Sequence, residues 1–235
     1  MMNMYRAPSI ILWSSIIAVS LWGLGYIVLM GLFPLHDATL GAREVAAFYA
    51  DNALRIKMGA MVCSWTGAWQ VPFAVVLFVQ MARLEKGVPV WSILQLASGA
   101  MSSLFLVLPP LFWGVAAFSA DRAPELTLLM HELANLTFVT TPQFGLFQFS
   151  AIAIVILTQR TDVDSAFPRW SGYLTIWTMF AFELGAFGFL TKVGPFSWNG
   201  LFVLWVPVCV FSIWFCAISL LMLRAIKRQA ATDSQ

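Results

Sequence analysis

Residues 201–223 read LFVLWVPVCVFSIWFCAISLLML, and residues 224–228, which follow, read RAIKR. The first stretch holds no charged side chain. At about 1.5 Å per helical residue it crosses a hydrocarbon core roughly 30 Å thick. The second supplies Arg224, Lys227 and Arg228, the basic cluster that marks the cytoplasmic end of such a helix. Five earlier runs have the same character, from Ile10 to Phe33, Met58 to Met81, Trp91 to Phe118, Leu133 to Leu157 and Trp170 to Leu190. The expected fold is all-α, a polytopic bundle of six transmembrane helices forming one domain over residues 1–235. The first run exceeds the roughly 7 to 15 apolar residues of a signal-peptide core and reads as a retained span.

Composition leads to the same class. The 235 residues are 60% hydrophobic and 10% charged, against about 25% charged in a soluble domain, and the mean hydropathy is +0.83. A net charge of +2 and three cysteines exclude a nucleic-acid binder and a disulfide scaffold. Two histidines are too few for a histidine-rich di-iron site and leave no pair for a buried haem. His36, Asp37, Asp121, Glu125, His131 and Glu132 lack metal-ligand spacing, so no metal and no cofactor is expected. His131 reads as exposed, beside a Glu132 that complements the start of span four.

With six spans both termini share a side. That side carries Arg6, Arg83, Lys86, Arg160, Arg169, Arg224, Lys227 and Arg228, eight of the basic residues, and the other carries Arg43, Arg55, Lys57, Arg122 and Lys192, five. The bias puts both termini in the cytoplasm. The connection from Pro34 to Lys57 holds Val45, Phe48 and Tyr49 at helical spacing among charged residues, the pattern of an amphipathic helix in the outer interface. It reads as a cap over the bundle or as a lid. Proline and tryptophan recur as Pro89-Val90-Trp91-Ser92 and Pro168-Arg169-Trp170-Ser171, and spans two and four pair Pro72 with Gln70 and Pro142 with Gln143. Together they suggest a parallel repeat of hairpins, spans two and three as spans four and five.

Ionisable residues inside a span are the first functional pointers, because charge in hydrocarbon is costly. Glu183 is the one such residue, suited to a general acid, a proton carrier or an interhelical hydrogen bond. Gln70, Ser102, Ser103, Thr140, Thr141 and Gln143 fall at a similar depth and must find partners inside the bundle. They form either a closed network or the polar floor of a cavity. Trp65 and Trp69, one turn apart, read as one aromatic face beside Gln70, a wall for an apolar ligand or ordinary core. Trp113 and Trp198 fall in an interfacial belt. Cys63, Cys209 and Cys216 read as buried packing residues.

The stretch Arg43-Glu44-Val45-Ala46-Ala47-Phe48-Tyr49-Ala50-Asp51-Asn52, then Arg55-Ile56 and Gly59, resembles the first outer loop of a group of uncharacterised six-span bacterial inner-membrane proteins. Phe167-Pro168-Arg169-Trp170, Gly194-Pro195-Phe196 and Trp198-Asn199-Gly200 are similar to that group as well. The resemblance implies an inner-membrane location and six spans, and it carries no activity.

Three functions fit these features. The first is binding or escorting an apolar small molecule, or serving as a subunit of a membrane assembly through a protein partner or a second copy. The second is an intramembrane isomerase or cyclase acting on a lipid, sterol or terpenoid, with Glu183 as the acid. The third is proton-coupled transport. Whether the chain is an enzyme stays open at this level.

Overall fold

The structure is a computed structural model that describes residues 6–119, 121–141, 143–159 and 164–232. Among these residues every regular element is helical. Helix α1 (Arg6–Leu24) runs into a wide π turn (Gly25–Leu29), and α2 (Ala42–Asp51) lies in the first long connection. Then come α3 (Ala53–Thr66), α4 (Gln70–Ala82), α5 (Val90–Ser102), α6 (Leu104–Ala116), α7 (Pro124–Thr140), α8 (Gln143–Thr158) and α9 (Arg169–Glu183). A second π turn (Leu201–Trp205) leads into α10 (Val206–Thr232).

Five stretches are long and apolar enough to cross a membrane: Arg6–Leu29, Ala53–Ala82, Val90–Ala116, Pro124–Thr158 and Leu201–Thr232. The sixth expected span is helical from Arg169, tightening to a 3-10 turn over Leu184–Phe189, and is not among the five. The surface is inverted relative to a soluble protein. Ile10, Trp13, Ile17, Trp177, Phe180, Ile213 and Leu220 are exposed, while Gln70, Gln80, Gln95, Ser98, Ser102 and Gln148 are buried. Polar groups inside and apolar groups outside are what a hydrocarbon solvent selects.

Successive passes pack side by side, α3 on α6, α4 on α5, α5 on α8, α6 on α7, α8 on α9 and α9 on α10, and α10 closes the ring on α1. Helix α2 lies on α7, with Val45 and Tyr49 turned inward. At one end Glu85 accepts from the Trp91 and Ser92 amides at 3.1 and 2.9 Å, completing the start of α5. Nearby, Gln80 and Gln229 exchange amide hydrogen bonds at 3.3 and 2.9 Å, tying α4 to α10.

Prolines break the long passes and decide how they meet. Pro72 has no N–H for the Ala68 carbonyl, and the turn before it tightens to 3-10 over Gly67–Trp69. Pro110 likewise frees the Leu106 carbonyl, and Trp22 Nε1 donates to that oxygen at 3.0 Å. The expected proline of span four, Pro142, and Arg160 lie outside the described residues.

Several expectations are corrected. Helix α7 begins at Pro124, nine residues before the expected Leu133, because Ala123 is extended and Pro124 takes the first helical position. Glu132 therefore lies inside the helix, where it pairs with Lys192 at 2.6 Å instead of flanking an N-terminus. Cys209 and Cys216 are exposed, since Trp214, Phe215 and Ile218 take the inward face of α10. Cys63 is buried and donates to the Trp22 carbonyl at 3.3 Å.

Candidate functional site

A chamber of about 290 Å³ lies inside the ring. Six helical stretches, taken in chain order, contribute to it. Val19, Trp22 and Tyr26 come from the first, Trp69 from the second, and Phe105 and Leu106 from the third. Phe138, Val139 and Thr141 come from the fourth, Phe182 from the fifth, and Val203, Leu204, Val208 and Phe211 from the sixth. Among the described residues no charged side chain lines it. Both π turns border it, through Tyr26 and Ile27 on one side and Val203 and Leu204 on the other. A π turn spreads its residues around a wider circle, and such turns recur at functional sites. Ile27 and Ser212 at the rim are exposed, so the chamber reaches the apolar outer surface between α1 and α10.

A smaller void of about 10 Å³ adjoins it, sharing Phe105, Thr141, Phe182 and Phe211 and adding Gln70, Ser102 and Gln148. Gln70 Nε2 donates to Gln148 Oε1 at 3.1 Å. Gln70 Oε1 and Gln148 Nε2 have no partner among the described residues. Ser102 Oγ donates back to the Ser98 carbonyl at 2.9 Å. The polar floor thus comprises Gln70, Ser102, Thr141 and a residue the sequence reading passed over, Gln148. The missed glutamine sits between Phe147 and Phe149 in α8, a polar side chain within a span, the same signal that singled out Gln70.

The other candidates lie elsewhere. Trp65 and Trp69 do not share a face: Trp65 is 78% exposed and Trp69 is 3% exposed. A 3-10 turn advances each residue roughly 20° further than an α turn, and the tight segment Gly67–Trp69 swings Trp69 inward while leaving Trp65 outside. Gln143 is exposed and donates to the Thr140 carbonyl at 2.6 Å. Thr140 is buried and Ser103 half-buried, and each hydroxyl donates to its own helix, at Leu136 O and Ala100 O. Glu183, the last residue of α9, is half-buried and lines neither cavity. Its Oε1 is enclosed without a partner among the described residues.

A second polar constellation joins α2, α6 and α7. Trp113 Nε1 donates to Asn135 Oδ1 at 2.9 Å, which turns the Asn135 amide nitrogen toward His131 Nε2, also at 2.9 Å. With Nε2 accepting, the neutral imidazole carries its proton on Nδ1, 2.9 Å from Tyr49 Oη. Burial pushes the Tyr49 phenol above its ordinary range, so it stays protonated. His131 is 1% exposed, against the expectation of an exposed histidine, because α2 folds over it. Trp113 and Trp198, both expected in an interfacial belt, are likewise buried. The i, i+4 pair His131 and Asn135 is visible in the sequence, whereas the partners from α2 and α6 are set by packing alone. His36 lies 6.0 Å from His131 between ring centroids, and burial lowers its pKa. Trp198 Nε1 donates to the His36 carbonyl at 2.7 Å.

Among the described residues no three His, Cys, Asp or Glu side chains are placed to hold a metal ion. Comparison of the chain with protein-family models, curated proteins and solved structures finds no match.

Proposed function

We propose that this protein binds or escorts an apolar small molecule within the bilayer, as a six-span inner-membrane protein with both termini in the cytoplasm. The observation that carries the reading is the chamber of about 290 Å³, walled by aromatic and aliphatic side chains from six helical stretches. Its size is close to the lower end of the roughly 300–1,000 Å³ common for small-molecule pockets, which are likewise mostly apolar with few polar groups. Its rim between α1 and α10 favours entry sideways from the lipid. The helical stretch from Arg169 to Phe189, lying between α8 and α10, supports a sixth span. The basic residues near Arg83 and Arg224 support the orientation. Mid-length breaks after Thr66 and Ser102 and at Thr141 are what supports a repeat of hairpins. The reading of an enzyme with Glu183 as its acid gains nothing from the chamber, since that carboxyl lines no part of it.

The test is extraction of the purified protein followed by mass spectrometry. Native protein is expected to yield an apolar molecule in near-stoichiometric amount. Val208→Trp, which fills the chamber from α10, should lose it while keeping its helical circular dichroism. An empty native protein, or equal retention by a folded Val208→Trp variant, would contradict the proposal.

A further inference from the structure

Not all of the chamber's polar groups are paired. Five tryptophans are buried among the described residues: Trp22, Trp69, Trp113, Trp198 and Trp214. Four donate their indole N–H, to Leu106 O, Asn135 Oδ1, His36 O and Thr175 Oγ1 at 2.7 to 3.0 Å. Trp69 has no acceptor among the described residues, and it lines the chamber. The indole N–H is a donor only, so nothing but an acceptor satisfies it. Buried tryptophans and tyrosines ordinarily find such a partner, and an enclosed unpaired donor is costly. Tyr26 Oη, on the same chamber wall, is unpaired as well.

The next residue along the chain adds the complementary group. One hydrogen bond joins the Gln70 and Gln148 amides, which are 3% and 1% exposed. Whichever way the two amides are turned, one carbonyl oxygen and one NH₂ remain free beside the adjoining void. Among the described residues the lining has no Lys, Arg, His, Asp or Glu. An ionised ligand would be enclosed without a counter-charge.

We infer that the ligand is a neutral lipid carrying a hydroxyl or carbonyl oxygen, which accepts from Trp69 Nε1 while its hydrocarbon body packs among the chamber's phenylalanines. A hydroxyl also donates, and the free amide oxygen of the Gln70–Gln148 pair suits that proton. The inference rests on the chamber being a ligand site, and it narrows the ligand from apolar molecules in general to neutral oxygenated ones.

Scintillation proximity binding of tritiated 1-dodecanol, dodecane and dodecanoate to the purified full-length protein at pH 8 tests it. Dodecanol is expected to bind about tenfold more tightly than dodecane, as one hydrogen bond to an otherwise unpaired donor provides, and dodecanoate to bind worst. Trp69→Phe keeps an aromatic ring against Phe73 and Phe215 and removes the N–H. In that variant the ratio of dodecanol to dodecane affinity should fall toward one. Equal binding of dodecanol and dodecane by the native protein overturns the inference, as does preference for dodecanoate or an unchanged ratio in folded Trp69→Phe. The native comparison needs no variant, so it decides even if Trp69→Phe fails to fold. If none of the three probes binds, the ligand-site reading itself fails.

Discussion

Asn135 shows how much one side chain can organise inside an apolar bundle. Its amide oxygen accepts from Trp113 and its nitrogen faces His131, which in turn meets Tyr49 on α2. Asn135→Leu keeps the branched shape with the same number of heavy atoms but strands the Trp113 N–H and His131 Nε2 in an enclosed space. Each stranded group costs about 1–3 kcal/mol, an upper range in a membrane, where the unfolded reference state keeps partners of its own. Thermal denaturation in detergent should show a clear loss of stability, larger than for an apolar swap at the exposed Leu129. His36 gives a pH dependence with a definite sign. Burial lowers its pKa from 6.5, so the unfolded chain takes up the proton first. Its contribution is complete above about pH 6.5 and is lost as pH falls toward the folded value. The denaturation midpoint should therefore decline on acidification below that point, and His36→Gln should flatten the decline. At this scale the sequence showed which residues are polar within apolar runs, and it read Gln70, Ser102 and Thr141 into one layer. It did not show that Gln148, His131 and Trp113 face inward, because depth along a helix is legible from spacing while azimuth depends on the neighbours.

The helical elements owe their contacts to local irregularities. A Cβ added at Gly67 would sit 2.6 Å from the Leu106 carbonyl oxygen, the same oxygen that accepts from Trp22. The tight turn before Pro72 and the proline-freed carbonyl of α6 thus meet at one point, where only glycine lets the backbones approach. Gly67→Ala should cost about 1–3 kcal/mol as an overpacked contact, measured as a lowered denaturation midpoint. Because Leu106 and Trp22 both line the chamber, the same variant should bind dodecanol more weakly. The prolines and glycines were all visible beforehand. What they do to direction was not: the shared face expected of Trp65 and Trp69 assumed an unbroken α-helix. The late start assigned to span four overlooked Pro124 as an opening residue, since the polar first turns of α7 hid a helix that is apolar only further on.

The molecule as a whole is a ring of helical passes around an aromatic-walled chamber, with its first long connection folded over one end. Overall class was legible from composition, because so few charges cannot cover a soluble surface. The chamber was not, since it is built from Val, Leu, Phe and Trp that serve equally as core and acquire meaning only when a gap is left among them. Interiors pack to crystal-like density, so an apolar void of this size is a place where something else belongs. A structure determined experimentally in native lipids would test this most directly. It should show elongated density within the chamber, ending near Trp69 Nε1 and reaching the lipid between α1 and α10. A chamber closed by Phe138, Phe182 and Phe211 packed against one another, with no density between them, would contradict it.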